Sequence, residues 1–214
     1  MRGVFLTFEG GEGTGKSTQA RLLAERLSEA GWRVRLTREP GDTPLGRTLR
    51  KILLTPSGDP PCPLAELLLY AADRAEHVEK VVRPALEAGE IVICDRFADA
   101  TEAYQGWGRG LDLGQVRALN RLAAGGLVPD RTVLLDLDPR EGVARSLHGV
   151  SGPGAEIRFE QEKPEFHDRV RRGYLAIAAR EPGRVRVVDA GGTPEDVAAR
   201  VWAAVADLFQ GKRG

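Results

Sequence analysis

The stretch from Gly10 to Ser17 reads GGEGTGKS and restricts the fold more than any other part of the chain. It matches the pattern G-x-x-x-x-G-K-[ST], in which glycines turn successive backbone N–H groups toward one anion and the next helix adds its positive end. An apolar run (4–9) precedes it and a helical pattern follows it, which is the context that the pattern requires. We therefore interpret it as a phosphate-binding loop rather than as a Gly-rich turn.

The residue types in this loop predict a nucleoside triphosphate site. Lys16 is placed to reach the β- and γ-phosphates, and the Ser17 hydroxyl is placed to bind Mg²⁺. The residues predicted to hold the nucleotide are Gly10, Gly11, Glu12, Gly13, Thr14, Gly15, Lys16, Ser17 and Thr18.

Short β-branched or apolar runs alternate with helical patterns along the chain. Strands are predicted at 4–9, 33–39, 91–95, 132–138 and 184–190. Helices are predicted from Lys16 to just before Gly31, and at 44–54, 63–88 with a bend near Pro84, 112–124, 139–148, 161–180 and 194–209, the last with Thr193 as N-cap and Pro194 as its first residue. This alternation predicts the α/β class, with a parallel sheet covered on both faces.

The organisation of the chain predicts one domain over residues 1–214. No repeat, linker or break in composition divides it, and the Gly-rich segment 148–156 is expected to be a mobile loop. Lys and Arg together balance Asp and Glu at 31 each, which argues against a nucleic acid polymer or an anionic membrane as a partner.

The two cysteines and the absence of long apolar stretches favour a cytoplasmic protein. Cys62 and Cys94 are far apart and form no CxxC motif, so neither a disulfide nor a zinc framework is expected. No apolar stretch approaches the length of a membrane span, and the first residues are too short an apolar run for a signal peptide.

Two arginines follow predicted strands, Arg38 in TREPG and Arg96 in DRF. The carboxyl ends of parallel strands line one crevice, which the phosphate loop also borders. Either arginine alone is readily explained as a solvated surface charge, but two of them, each beside a carboxylate, predict a second anion such as a monophosphate. A phosphate loop by itself does not separate an ATPase, a GTPase, a motor and a small-molecule kinase, and no N-K-x-D signature of a GTPase is present.

The chain resembles the bacterial thymidylate kinases nearly from end to end. The motifs that carry the resemblance are FEGGEGTGKSTQA, LTREPG, LLLYAADRAEHV, VICDRF, TEAYQGWGRGL, PDRTVLLDLDP and IRFE. The resemblance implies a doubly wound five-stranded parallel sheet of the nucleoside monophosphate kinase type, with helices on both faces. It also implies a homodimer that transfers the γ-phosphate of ATP to dTMP, with Mg²⁺ as cofactor, for dTTP synthesis.

The resemblance assigns roles to individual residues on the acceptor side. Arg38 and Arg96 match the arginines that hold the dTMP phosphate, and Glu12 matches the carboxylate that binds the 3′-hydroxyl. The residues matched to the base and the sugar are Tyr70, which stacks on thymine, Arg74, which contacts a thymine carbonyl, and Thr101, Tyr104 and Gln105, which read the base edge and crowd the sugar. The alternatives are a core aromatic at position 70 and an exposed loop charge at position 12.

The catalytic and metal-binding roles follow in the same way. Ser17 is expected to bind the metal directly, and Asp95 is expected to lie just beyond its direct ligands. Lys16 and Arg96 are expected to contact the transferred group. A mobile lid is expected over residues 140–160, and its Arg145 and Arg158 are candidates for the transition-state arginine and an adenine-side clamp. Related lids carry several arginines two residues apart, whereas here positions 147 and 149 are Leu and Gly, so the two roles stay unassigned between Arg145 and Arg158.

Two other functions remain compatible with these motifs. One is a kinase that acts on another nucleoside or nucleoside monophosphate, because base choice depends on the shape of a pocket. The other is a non-catalytic nucleotide-binding switch on the same fold.

Overall fold

The computed structural model describes residues 2–148 and 156–209. Its strands are β1 (Phe5–Glu9), β2 (Val34–Arg38), β3 (Ile91–Asp95), β4 (Arg131–Asp136) and β5 (Val185–Asp189). They pair in parallel in the order β2-β3-β1-β4-β5, so the order reverses about β1 at the centre of the sheet. The predicted doubly wound five-stranded parallel sheet is confirmed.

Helices connect these strands and cover both faces of the sheet. Their bounds are α1 Lys16–Glu29, α2 Pro44–Leu54, α3 Pro63–His77, α4 Arg83–Glu87, α5 Ala98–Thr101, α6 Leu113–Ala123, α7 Pro139–Leu147, α8 Pro164–Arg180 and α9 Pro194–Val205. π-helical stretches lie at Val78–Val82 and Glu102–Gly108, and a 3₁₀ turn lies at Ala206–Phe209. Within the part of the chain that the structure describes, no helix is both long enough and apolar enough to cross a membrane.

The side chains of the central strand alternate between the two layers of the core. Leu6 and Phe8 pack with α1 and α9 on one face of the sheet, whereas Phe5 packs with the α3–α4 region on the other. This period-2 alternation is expected of a strand that is covered on both sides. The sheet is thereby fixed on both faces, and the loops at its carboxyl edge extend from a rigid base.

The predicted helix signals are confirmed at several ends. Gly31 has φ 91° just beyond α1, and Thr193 with Asp196 forms a capping box that opens α9 with Pro194 at the first position. In the predicted helix 63–88, the regular α-helical pattern is interrupted by the π-helical stretch Val78–Val82, immediately before Pro84. The ring of a proline clashes with the carbonyl four residues earlier, which accounts for a break at this place.

Two features differ from the sequence-based expectation. The segment 98–108 is helical although no helix was predicted there, because its later part uses i→i+5 hydrogen bonds and contains Gly106 and Gly108, so a 3.6-residue pattern does not detect it. Helix α8 begins at Pro164 rather than at 161, with Lys163 as its N-cap residue. The predicted loop 148–156 lies outside the described residues except for His148 and Glu156.

Helix α8 lies against the 102–108 stretch with almost no free space at Gly173. A Cβ added there would lie 2.7 to 2.9 Å from three atoms of the partly buried Trp107, including the Trp107 Cβ, so the ring cannot move away by a simple rotation. We expect Gly173→Ala to lower the free energy of unfolding by about 1–2 kcal/mol, because so close a contact lies toward the upper end of the ~1–3 kcal/mol that overpacking costs and outweighs the helix-propensity gain of ~1 kcal/mol.

The matched control is Gly183→Ala, where the added methyl group meets no atom within 4 Å. Its free energy of unfolding should be unchanged or raised by less than about 1 kcal/mol. Urea denaturation of both variants measures the difference, and a Gly173→Ala protein as stable as the Gly183→Ala protein would contradict this account of the packing.

Candidate active site

A cavity of about 400 Å³ opens at the carboxyl edge of the sheet. The phosphate loop forms one wall, and the ends of β2 and β3 with the faces of α3 and the 98–108 segment form the other. Most of the predicted site residues line it, namely Glu12, Gly13, Gly15, Lys16, Ser17, Thr18, Arg38, Tyr70, Arg74, Asp95, Arg96, Thr101, Tyr104, Gln105 and Arg145. Gly10, Gly11 and Thr14 lie behind the loop instead, where they line a much smaller cavity with α8.

The phosphate loop has the backbone that an anion cradle requires. Gly13 and Gly15 have φ values of 63° and 85°, in the left-handed region that a side chain disfavours. A Cβ at Gly13 would also collide with the carbonyl oxygen of Gly142 in α7. Glycine is therefore required at position 13 both by the turn and by the close approach of the helix that carries Arg145.

Lys16 is held inside the loop. It is buried, and its Nζ donates to the carbonyl oxygen of Gly11 at 2.6 Å. Burial and then the nearby charge of Arg96 lower the pKa of Lys16 to about 8. The negative charge of a bound phosphate would favour the charged form of Lys16 and so raise its pKa again.

Arg96 joins the phosphate loop to the end of β3. It is a non-glycine residue with φ 70°, a strained conformation that places it in the turn after the strand. Its guanidinium donates to the Gly10 carbonyl at 3.0 Å, to both carboxylate oxygens of Glu12 at 3.0 and 3.1 Å, and to the Tyr174 hydroxyl at 3.3 Å. Four acceptors on two elements thus fix one guanidinium at the cavity wall.

Glu12 is not an exposed loop charge, the alternative that its sequence position left open. Besides Arg96, the hydroxyl of Tyr104 donates to Glu12 Oε1 at 2.6 Å. Burial alone would raise the pKa of Glu12, but Arg96, Lys16 and the Tyr104 hydroxyl together hold it below its usual value. Glu12 is therefore a fixed anion, able to accept a hydrogen bond from a ligand hydroxyl.

Ser17 and Asp95 bring two oxygen ligands together at the mouth of the loop. The Ser17 hydroxyl donates to Asp95 Oδ2 at 2.5 Å, across the gap between α1 and β3. Hydroxyl and carboxylate oxygens suit Mg²⁺, which keeps several waters and takes few protein ligands. Among residues 2–148 and 156–209, no group of three or more His, Cys, Asp or Glu side chains is arranged to hold a metal ion, so this pair fits a metal that a nucleotide brings with it.

The wall of the cavity formed by α3 and the 98–108 segment is built around Arg74, which is almost completely buried. Its guanidinium donates to Glu39 at 2.9 Å, to the Asn120 Oδ1 at 2.7 Å and to the Thr101 hydroxyl at 2.9 Å. Tyr70 lies one turn earlier on α3 and is only partly buried, at the cavity wall, although it also packs against the core beneath α8. Tyr70 therefore packs against the core and also lines the cavity.

The two candidate lid arginines lie in different places. Arg145 lines the cavity and bonds to Glu141 and to the Ala190 carbonyl, the latter at 3.3 Å. Arg158 is not in the lining, because its guanidinium is buried against Glu66 on α3. The structure therefore places Arg145 at the cavity beside the phosphate loop and does not place Arg158 there.

Several residues of the site were missed by the sequence reasoning. Glu9 accepts from the Phe97 amide at 2.7 Å and from the Tyr174 hydroxyl at 2.8 Å, and burial followed by repulsion from Asp99 raises the pKa of Glu9 to about 8. Tyr174 lies at core spacing on α8, so its sequence position looks the same as that of any buried aromatic residue. Glu9 could have been found from its position, because it is the last residue of β1 and directly precedes the phosphate loop.

The lowered pKa of Lys16 predicts a pH dependence of nucleotide binding. Lys16 carries its charge below about pH 8 and loses it above, so the affinity for ATP should fall as the pH rises through 8. We expect the dissociation constant to increase about 10-fold or more between about pH 7 and about pH 9.5, measured by isothermal titration calorimetry. Lys16→Met is the control, because it should bind ATP weakly and with a flat profile. A profile in this variant as steep as that of the unaltered protein would exclude Lys16 as the titrating group.

Comparisons with known proteins show what the whole chain is similar to. A sequence profile of the family described as thymidylate kinase matches residues 8–201. The chain is 59% identical to a thymidylate kinase of Synechococcus sp. (strain JA-3-3Ab), over 94% of this chain and 95% of that protein. It is 53% identical to one from Solidesulfovibrio magneticus, over 96% of this chain and 100% of that protein. The crystal structure of thymidylate kinase from Ehrlichia chaffeensis superimposes with a TM-score of 0.77 at 36% identity, covering 96% of this chain and 99% of that one.

Proposed function

The chain belongs to the thymidylate kinase family, and we propose that it transfers the γ-phosphate of ATP to dTMP, giving ADP and dTDP for dTTP synthesis, at the cavity described above. The observation that carries the proposal is the position of Arg96. One guanidinium bonds to both the Gly10 carbonyl and the Glu12 carboxylate, so the arginine for the acceptor phosphate and the loop for the donor phosphates form one connected wall.

The geometry supports a head-to-head arrangement of the two nucleotides. The donor phosphates lie against the amides of the phosphate loop and Lys16, while the acceptor phosphate lies between Arg38 and Arg96. Arg38 is exposed at the end of β2, on the far side of the same cavity. A planar guanidinium matches phosphate oxygens in pairs, which suits these arginines to hold a monophosphate in line with the donor.

Phosphoryl transfer needs the stabilisation of charge more than it needs acid–base chemistry. Lys16 and Arg96 supply fixed positive charge beside the transferred group, and Arg145 supplies it from α7. Ser17 and Asp95 would hold Mg²⁺, which neutralises charge on the donor phosphates when it is bound. Glu12 is placed for the 3′-hydroxyl of the acceptor, and Tyr104, which bonds to Glu12, crowds the sugar beside it.

The domain assignment is a single kinase domain over 1–214 with a lid over 140–160. Its support is that Gly142 and Arg145, both on α7, contact the phosphate loop and the cavity, respectively. Arg145 is the lid residue that we assign to the transition state. Arg158 is instead assigned to hold the carboxyl end of the lid against α3, by its ion pair with Glu66.

A panel of acceptors tests the choice of substrate. The full chain, ATP and Mg²⁺ are incubated with dTMP, dUMP, dCMP, dAMP and dGMP, and ADP release is followed in a coupled assay. The largest kcat/KM is expected for dTMP. A larger value for another monophosphate would replace dTMP as the substrate, and binding of ATP without transfer to any of them would favour a nucleotide-binding switch.

Arg96→Ala should lower kcat/KM for dTMP by about 100-fold or more, because it removes charge next to the transferred group. The affinity for dTMP should fall as well, since the same guanidinium holds the acceptor phosphate. The charge-matched control is Arg172→Ala on the exposed side of α8, which should leave both quantities unchanged. Steady-state kinetics and calorimetry measure them, and a dTMP affinity equal to that of the unaltered enzyme would remove Arg96 from the acceptor site.

A homodimer is proposed on the helical face formed by α2, α3 and α6, which pack against one another in sequence. Large apolar side chains that are exposed on these helices are Leu45, Ile52, Leu64, Leu68 and Leu122. Several large exposed apolar side chains on neighbouring helices are what a protein interface would cover. Both cysteines are free thiols, which is in keeping with a reducing cytoplasm as the setting.

The double variant Leu64→Glu with Leu68→Glu should convert the dimer to monomers, because four carboxylates per dimer would enter the apolar contact. Size-exclusion chromatography with light scattering measures the mass in solution. Val187→Glu, at an equally exposed valine on β5, is the control and should remain dimeric. A monomeric unaltered protein, or a double variant that stays dimeric, would contradict the proposed face.

A further inference from the structure

A carboxylate that no motif singled out lies behind the base side of the cavity. Glu66, in the first turn of α3, is completely buried. Its Oε1 accepts from Gln105 Nε2 at 2.7 Å and from Arg109 Nε at 3.2 Å. Its Oε2 accepts from Arg109 Nη2 at 3.2 Å and from Arg158. A carboxylate has about four acceptor sites, so these donors occupy the whole group.

The two arginines keep Glu66 in its ionised form, since a buried carboxylate paired with guanidinium groups favours its charged state. An ionised carboxylate accepts hydrogen bonds and cannot donate them. The side chain of Gln105 must therefore turn its NH₂ toward Glu66. This orientation follows from the acceptor-only chemistry of the partner.

The orientation of the amide decides what Gln105 presents to a ligand. Gln105 is only 1% exposed, yet it lines the cavity. One N–H of Nε2 is committed to Glu66, which turns the amide nitrogen toward α3 and leaves the carbonyl oxygen as the acceptor available to the base. The side chain therefore acts as a hydrogen-bond acceptor at this wall, although a free glutamine is equally able to donate.

We propose that Glu66 is a positioning residue for base selection: by holding Gln105 as an acceptor, it favours a pyrimidine that carries a hydrogen on N3 over one that has a lone pair there. The inference rests on the proposed function, because it places the acceptor base beside Gln105. Thymine and uracil carry N3–H, whereas N3 of cytosine is an acceptor. A cytosine in this place would leave two acceptors facing each other, and sites built on a buried hydrogen bond reject such a mismatch strongly.

Arg74 adds a second contact that distinguishes thymine from cytosine. Its guanidinium has donors only, and Glu39 and Asn120 fix its position in the same wall. A donor next to an acceptor matches the carbonyl at position 4 and the N3–H of thymine. Cytosine has an amino group and a bare N3 at these places, so both contacts would be unfavourable.

The test is Glu66→Gln, which keeps the shape of the side chain and removes its acceptor-only character. The amide of Gln105 is then free to turn, and its NH₂ can face the base. We expect the ratio of kcat/KM for dTMP to that for 5-methyl-dCMP to fall about 10-fold or more. The ratio for dTMP to dUMP should not change, because both bases carry N3–H and differ only in the methyl group. These are steady-state rates of the full chain with ATP and Mg²⁺.

Glu162→Gln is the matched control. Glu162 accepts from Arg109 Nη1 at 2.5 Å and so belongs to the same cluster of charges. It bonds to Arg109 and not to Gln105. It should leave both ratios unchanged. A folded Glu66→Gln enzyme with the original ratio, or a Glu162→Gln enzyme with an equal loss, would overturn the proposal. If the unaltered enzyme did not phosphorylate dTMP at all, the proposed function itself would fail, which is a different result.

Removal of the charge on Glu66 leaves the buried guanidinium of Arg158 without its carboxylate partner, which is destabilising. A second measurement therefore uses the unaltered enzyme, ¹⁵N-labelled at glutamine, first without and then with dTMP. The NH₂ protons of Gln105 should show nuclear Overhauser effects to the methylene protons of Glu66, and they should keep them when dTMP is added. Effects to the thymine ring in place of Glu66 would overturn the proposal, whether or not the variant folds.

Discussion

The ion pair between Arg96 and Glu12 is the interaction on which the site depends. It spans the ends of two neighbouring strands, since Glu12 follows β1 and Arg96 follows β3. Both groups are largely withdrawn from water, where an unpaired charge is costly. The pair therefore holds the phosphate loop and the acceptor wall at a fixed separation before any nucleotide arrives. When a phosphate binds, it meets positive charge that is already oriented and pays little for reorganisation.

Other buried carboxylates around the cavity are also paired with arginines. Glu39 accepts from Arg74, and Glu66 accepts from Arg109 and Arg158, so each wall of the base pocket rests on a carboxylate–guanidinium contact. Breaking such a contact leaves a charge stranded in a medium of low dielectric, so each contact is strongly specified once it is formed. Side chains that are fixed in one arrangement can distinguish similar bases, because they cannot rearrange to fit the wrong one.

The sequence was most informative where a short-range physical rule applies. The five strands, the phosphate loop and the capping of α9 by Thr193 all follow from local patterns, and the structure has each of them. The 98–108 helix was missed because its π-helical part does not follow the 3.6-residue period. Glu66 was missed for a different reason. Its partners at positions 105, 109 and 158 are distant in the chain, and no local pattern reveals which charge a buried carboxylate will meet.

The order of the strands has a consequence for how copies of this chain meet. β2 and β5 form the two margins of the sheet, where unpaired backbone groups offer a template to a strand of another molecule. Arg35 and Arg38 on β2, and Arg186 and Asp189 on β5, place charged side chains along both margins. Charged side chains at the margins oppose the edge-to-edge pairing of sheets from different molecules. Each added strand would have to bury those charges. The homodimer proposed on the helical face of α2, α3 and α6 would by contrast be a finite assembly that stops growing once two chains have met.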